Sequence, residues 1–246
     1  MKQSRRTAFI LAAGLGTRLK ELTKDTPKAL VSINKVLLLK VILEDLIKRD
    51  FNHIVINIHH FGEQIINFLN ENKFPNVEIE ISDERNLLMD TGGAILQALP
   101  YFAQSEAVLV HNVDILTNVD LKLFYDNFCK SDDAAWLLTQ ERDSKRKLVF
   151  DNQDNYIGRF NVETNYFDGK NPMPKDCKLL AFSGLHLFKP EYFKNFETKP
   201  CYVFDLYQKI AENHRVTSKL IHPDYWFDLG TPEQLKNAEL WLSSKR

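Results

Sequence analysis

The run Ala8-Phe9-Ile10-Leu11-Ala12-Ala13, broken at once by Gly14-Leu15-Gly16, constrains this chain more than any other stretch. An uninterrupted apolar run of that length fits a strand covered on both faces, the kind of strand that parallel α/β sheets are built from. The glycines after it permit a sharp turn or the close approach of a ligand to backbone. Thr17-Arg18 and Pro27-Lys28 follow, and they bring a guanidinium able to fork onto phosphate oxygens and an ammonium point charge. The segment from Ala8 to Leu30 therefore reads as a polyphosphate cradle, although a tight turn before a helix explains two glycines by themselves equally well. It matches neither common phosphate fingerprint. A dinucleotide fold needs a third glycine where Leu19 stands, and a P-loop needs Gly-Lys-Ser/Thr.

Beyond the loop the periodicity alternates. Val36 to Arg49 repeats apolar residues at helical spacing, Ile54 to Ile58 is a β-branched strand core, and Phe61 to Asn70 reads as a second helix. Val77 to Ile81 predicts a strand, Gly92 to Leu99 a helix after Thr91, and Ala107 to Val110 a buried strand running into His111-Asn112-Val113-Asp114. This β-α-β order implies a mostly parallel sheet with helices on both faces. The second half has a different texture. After a helix at Leu121 to Cys129, short strands are expected at Ala134 to Thr139, Lys147 to Asp151, Tyr156 to Phe160, Leu179 to Phe188 and Val216 to Ile221. Helices are expected at Phe204 to Glu212 and after Thr231, where Pro232 and Glu233 follow an N-cap residue. We expect one domain over residues 1–246, with one half to about residue 130 and the other from about residue 131.

Composition excludes more than it selects. A net charge of −1 gives no bulk electrostatic reason for a nucleic-acid or membrane partner. Cys129, Cys177 and Cys201 form no CxxC pair and read as reduced thiols of a cytoplasmic protein. Lys2, Arg5 and Arg6 before the first apolar run imitate a secretory signal, but that run is too short and Arg18 and Lys20 follow closely.

Ligands in open α/β sheets bind beyond the carboxyl ends of the strands, which directs attention to Asp114. A second acidic candidate is Asp228, in Trp226-Phe227-Asp228-Leu229-Gly230-Thr231. Each alone reads as a turn or cap residue. Together, two carboxylates from distant parts of the chain suit Mg²⁺, a hard cation that prefers oxygen ligands and substrate phosphates. Arg146 is able to meet an anionic group of a ligand, though an exposed hairpin charge is the plainer account, and Asn161 or Glu163 can accept from ligand hydroxyls.

The strings LAAGLGTRL and TPKAL, the NxD element at Asn112 to Asp114 and the late WxDxGT element resemble, in order and spacing, the sugar-1-phosphate nucleotidyltransferases. The resemblance covers nearly the whole chain. It implies a Rossmann-like three-layer α/β/α fold of the nucleotide-diphospho-sugar transferase type, with a mostly parallel, mixed central sheet. It further implies an enzyme that joins an NTP to a sugar 1-phosphate with release of pyrophosphate. On that resemblance Leu11, Ala12, Ala13, Gly14, Gly16, Thr17 and Arg18 bind nucleotide, with Arg18 on the departing pyrophosphate. Lys28 bridges the α-phosphate and the sugar phosphate, and Asp114 and Asp228 hold Mg²⁺. Thr91-Gly92-Gly93-Ala94 is similar to the base-binding turn, and Ser183-Gly184 to a sugar-contacting turn. Asp205 matches an often acidic position, with a helix N-terminus as its plainer role.

Two departures stand out: Val113 replaces the usual glycine of the metal-site element, and Glu21 replaces a proline after the loop. A β-branched Val113 is expected to narrow the pocket or alter the backbone beside Asp114. The substrate phosphate is already ionised near neutral pH, so no general base is needed and His59, His60 and His111 are left out of the chemistry. UTP with N-acetylmuramate 1-phosphate, or GTP with mannose 1-phosphate, is the expected substrate pair. A non-catalytic sugar-nucleotide sensor and a choline-phosphate cytidylyltransferase of the same fold are the alternatives.

Overall fold

The computed structural model describes residues 5–169 and 172–244. In chain order the strands are β1 (Thr7–Leu11), β2 (Ser32–Ile33), β3 (Val36–Leu37), β4 (His53–Ile58), β5 (Glu78–Asp83), β6 (Val108–Asn112), β7 (Ile115–Thr117), β8 (Ala135–Gln140), β9 (Arg146–Phe150), β10 (Tyr156–Asn161), β11 (Tyr166–Gly169), β12 (Lys178–Phe188), β13 (Val216–Leu220) and β14 (Trp226–Asp228). The helices are α1 (Leu38–Lys48), α2 (Gly62–Glu71), α3 (Asp90–Ala98), α4 (Leu121–Cys129), α5 (Val203–Ile210) and α6 (Pro232–Ser244). Among the described residues no helix is long and apolar enough to cross a membrane.

The chain forms two compact units that interleave along the sequence instead of dividing near residue 130. The first comprises Met1–Leu88, His111–Lys122 and Pro223–Arg246, and the second Met89–Val110 and Leu123–His222.

In the first unit β1, β4 and β5 run parallel, with Thr7 opposite His53 and His53 opposite Glu78. Every residue of β4 is buried, as are the first four of β1, which explains why these strands read as continuous apolar runs. The helical spacing from Val36 onward holds only from Leu38. Val36 and Leu37 pair instead with Ser32 and Ile33, because Asn34 and Lys35 take positive φ values of 48° and 67° and close a two-residue hairpin turn. A two-residue strand carries too little periodicity to be seen in sequence. Leu19, Val31, Ile33, Leu38, Leu229, Leu235 and Ala238 form one apolar cluster, so the segment after the glycine loop and the C-terminal helix share a core. Thr231 Oγ1 accepts from Gln234 N at 3.3 Å, the N-cap its sequence predicted.

In the second unit β8 lies between β13, parallel to it, and β12, antiparallel. β12 continues antiparallel to β9, and β9, β10 and β11 complete an antiparallel ribbon. The sheet is therefore purely parallel among β1, β4 and β5 and mixed in the second unit, in line with the change of texture in the sequence. His186, Tyr207, Phe188, Phe193 and Phe204 make the aromatic core here. His186 is 1% exposed and bonds to the Tyr207 hydroxyl, and burial depresses its pKa to about 3.

Candidate active site

The glycine loop begins where β1 ends. Its entry is fixed from the neighbouring strand, since Asn57 Oδ1 accepts from Ala12 N at 2.7 Å and from Ala13 N at 3.3 Å. Two of the N–H groups expected to face nucleotide are thus used within the protein. Gly14 and Leu15 are exposed at the turn. Gly16 then adopts a left-handed φ of 66°, and a Cβ there would lie 2.9 Å from Thr23 Cγ2 and 3.2 Å from Lys28 Cβ. Thr23 Oγ1 closes the loop by donating to Gly16 O at 2.9 Å.

The basic and acidic candidates meet in this same unit. Leu19 is wholly buried in the apolar cluster, and Arg18 beside it is exposed. Arg18 lies against Gly230, where a Cβ would stand 2.6 Å from Nη2 and 2.8 Å from Asp228 Oδ1. Lys28 is 8% exposed and its ammonium pairs with Asp114 Oδ2, as a buried cation must. Asp114 is joined to the late element by Leu229 N donating to Asp114 O at 2.8 Å, and Asp228 pairs with Ile115 across β7 and β14. Asp114 and Asp228, far apart in sequence, are thereby neighbours on adjoining strand ends.

This donor set fits a hard cation. Lys28 takes Oδ2 of Asp114 and Gly230 N takes Oδ1 of Asp228, which leaves one oxygen of each carboxylate to ligate. Among the described residues no three His, Cys, Asp or Glu side chains cluster as a metal cage. Two carboxylates completed by water and phosphate oxygens match the way Mg²⁺ is held.

The branched side chain of Val113 is accommodated beside Asp114 without a left-handed backbone conformation. Val113 is 4% exposed and its N–H donates to Leu11 O at 3.2 Å. His111 is likewise buried, which lowers its pKa, and its Nδ1 donates to Asn112 O at 2.8 Å.

The second unit holds the remaining candidates. Gly92 N and Gly93 N both donate to Cys201 O, at 2.8 and 3.2 Å. A Cβ on Gly92 would stand 2.8 Å from the Tyr202 carbonyl, and one on Gly93 2.5 Å from Lys199 O. These glycines admit another stretch of backbone, so any nucleobase contact at this turn falls to atoms other than those two N–H groups. Thr91 Oγ1 reinforces the seam by accepting from Val203 N at 3.1 Å.

Ser183 is corrected as a sugar contact. Its side chain is fully buried and donates to Leu138 O at 2.7 Å, while Gly184 takes φ 79° within an irregularity of β12. Asn161 is a turn former, since its Oδ1 accepts from Glu163 N and Thr164 N, and Glu163 makes an exposed ion pair with Lys145. Arg146 is exposed opposite Asn161. The next residue, Lys147, lines a cleft of about 700 Å³ together with Arg142 and Lys178. Asp205 lies in the first turn of α5 and pairs with Arg159 at 2.8 Å.

Sequence reasoning also missed Asn57, Glu84 and Gly230. The signal for Asn57 was present, because a polar amide inside Ile54-Val55-Ile56-Asn57-Ile58 must have a buried partner.

Known proteins resemble this chain over nearly its whole length. The N-acetylmuramate alpha-1-phosphate uridylyltransferase of Neisseria meningitidis serogroup B is 30% identical over 94% of this chain and 96% of its own length. The D-glycero-alpha-D-manno-heptose 1-phosphate guanylyltransferase of Campylobacter jejuni is 30% identical over 92% and 95% respectively. Among solved structures, a UDP-glucose pyrophosphorylase from Acinetobacter baumanii superimposes with a TM-score of 0.81 at 15% identity, covering 98% of this chain and 94% of that one. That likeness establishes the nucleotide-diphospho-sugar transferase type of α/β fold. The sequence profile described as Nucleotidyl transferase matches residues 7–244. The chain therefore belongs to the nucleotidyl transferase family, as the resemblance of its motifs to the sugar-1-phosphate nucleotidyltransferases implies.

Proposed function

We propose that this enzyme transfers a uridylyl group from UTP to a sugar 1-phosphate of the N-acetylmuramate type in the cytoplasm, supplying a cell-wall or polysaccharide precursor. The observation that carries the reading is the grouping of Arg18, Lys28, Asp114 and Asp228 around one exposed glycine loop in one compact unit. An oxygen of the sugar phosphate attacks the α-phosphorus of UTP, the bond to the bridging oxygen breaks, and pyrophosphate leaves with the electron pair. Such a transfer calls for charge neutralisation and in-line placement more than for a protein nucleophile. Lys28 supplies a fixed positive charge at the α-phosphate, and exposed Arg18, backed by Gly230, holds the leaving pyrophosphate. Asp114 and Asp228 hold Mg²⁺, which when bound neutralises phosphate charge and orients the triphosphate. The two relatives at 30% identity use different bases by name, uridylyl and guanylyl, so GTP with a mannose-type 1-phosphate is the second reading.

The test is pyrophosphate release from UTP, GTP, CTP, ATP and dTTP against a panel of sugar 1-phosphates with Mg²⁺, choline phosphate included. Release that requires UTP together with N-acetylmuramate 1-phosphate is the expected outcome. Release with GTP and mannose 1-phosphate replaces it by the second reading, and silence across the panel overturns both.

A further inference from the structure

The glycine loop is held by two buried polar residues that take no part in the chemistry described above. Asn57 is 3% exposed and Glu84 is 1% exposed. Asn57 Oδ1 accepts from both Ala12 N and Ala13 N, while its Nδ2 donates to Glu84 Oε1 at 2.8 Å. The carboxamide has only one satisfactory orientation. Turned over, its NH₂ would oppose two backbone donors and its oxygen would oppose a carboxylate. Glu84 is itself fixed just beyond β5, where its N donates to Ile58 O at 2.8 Å and its carbonyl accepts from His59 Nδ1 at 2.7 Å. The ends of β1, β4 and β5 are thus tied together at the root of the loop.

We propose that Asn57, oriented by Glu84, is a positioning residue that sets the backbone of Ala12 and Ala13 so that Gly14 to Thr17 present their N–H groups to the nucleotide phosphates. The inference rests on the reading that this loop binds an NTP. A buried amide matched at both its oxygen and its nitrogen tolerates no second arrangement, since each unmatched buried group is costly. The pair therefore preorganises the loop before nucleotide arrives, and its effect on function passes through nucleotide affinity.

The variant N57D keeps the acceptor for the loop but turns a second carboxylate toward Glu84. The double variant N57D/E84Q restores a donor, because the amide introduced at position 84 faces the spare oxygen of the carboxylate introduced at position 57. It so keeps the hydrogen-bond pattern at the same total charge. Binding of UTP and of GTP with Mg²⁺ to the full chain is measured by calorimetry, alongside the KM values for NTP and sugar 1-phosphate and the melting temperature. For N57D we expect at least a tenfold weaker Kd and higher KM for the NTP, with the sugar-phosphate KM within twofold. N57D/E84Q should recover the wild-type values to within threefold. A general structural role would lower the melting temperature and disturb both substrates alike, and that result overturns the proposal, as does a folded N57D with wild-type affinity. If N57D does not fold, a folded N57D/E84Q with more than tenfold weaker nucleotide binding overturns it, and wild-type affinity supports it. Wild-type chain that binds UTP or GTP without releasing pyrophosphate in any pairing defeats the transferase reading alone, because the affinities still test the loop. Wild-type chain that binds neither defeats both.

Discussion

The two units use their polar groups in opposite ways. In the first, Arg18 is exposed at the edge of a loop whose Gly14, Leu15 and Thr17 also reach solvent, and Asp114 and Asp228 each keep an oxygen for an incoming ligand. In the second, candidates of the same chemical kind are spent inside the protein: Gly92 and Gly93 on the Cys201 carbonyl, Ser183 on Leu138, and Asn161 on its own turn. The difference teaches that a small or polar residue in a motif-like string is a site residue only where the fold leaves its donors and acceptors unspent. Substitutions in the first unit should accordingly damage turnover more than stability, and those in the second should do the reverse.

The largest contrast is expected from Asp114→Asn. It removes the charge that pairs with Lys28 and that the proposed Mg²⁺ would use, with almost no change of volume. Turnover should fall by about 10³-fold or more, as for loss of other electrostatic groups in transfer sites, while circular dichroism remains native. Near-wild-type pyrophosphate release would remove Asp114 from the chemistry.

Gly93→Ala should act through the other unit. Its Cβ would stand 2.5 Å from the backbone oxygen of Lys199, which cannot swing away as a side chain can. Urea unfolding should show a loss of about 1–3 kcal/mol, the usual cost of overpacking. An unchanged denaturation midpoint would mean that the seam at Lys199 to Val203 is not rigid.

Gly230→Ala tests the support beneath Arg18. The clashes here are with the side-chain ends of Arg18 and Asp228 and not with backbone, so stability should change little, but the guanidinium and the carboxylate must move. We expect the NTP KM to rise about tenfold, matching Arg18→Ala, in keeping with a charge-assisted contact. If Arg18→Ala leaves NTP kinetics unaltered, the phosphate-cradle assignment fails at that residue.

The smallest effect concerns pH. His186 has a folded pKa of about 3 against an ordinary 6.5, because burial disfavours its charged form. The unfolded chain therefore takes up a proton first as pH falls, so the stability is complete above 6.5 and is lost on acidification toward 3. Between pH 6.5 and 5.5 the loss should be about 1 kcal/mol. His186→Gln should flatten that slope. Burial lowers the pKa of His53 and His111 as well, so the slope in excess of the variant's is the quantity that isolates His186. An identical slope in both proteins would reject the assignment.

Much of the architecture was legible because it is written in local pattern. The buried run at Ala8, the β-branched core at Ile54 and the cap at Thr231 each declare their element through residues a few positions apart. Short elements escaped, among them β2, β3, β7 and β14, since two or three residues cannot establish a period. At the site, the acidic pair and the basic pair were legible from motif resemblance. The supports were not: Gly230 beneath Arg18 becomes visible only when a Cβ is placed against the guanidinium, and Glu84 only when Asn57 is seen to need an acceptor.

The sequence alone determined which chemical groups were on hand, a glycine loop, two cations and two carboxylates, and the order of helices and strands that carries them. Tertiary structure decided which of these groups are free. Lys28 meets Asp114 across 86 residues, and Asn57 meets Ala12 across 45. The physical reason is that a side chain's availability depends on partners brought to it by long-range pairing and register, and neither is encoded in the residues adjacent to it.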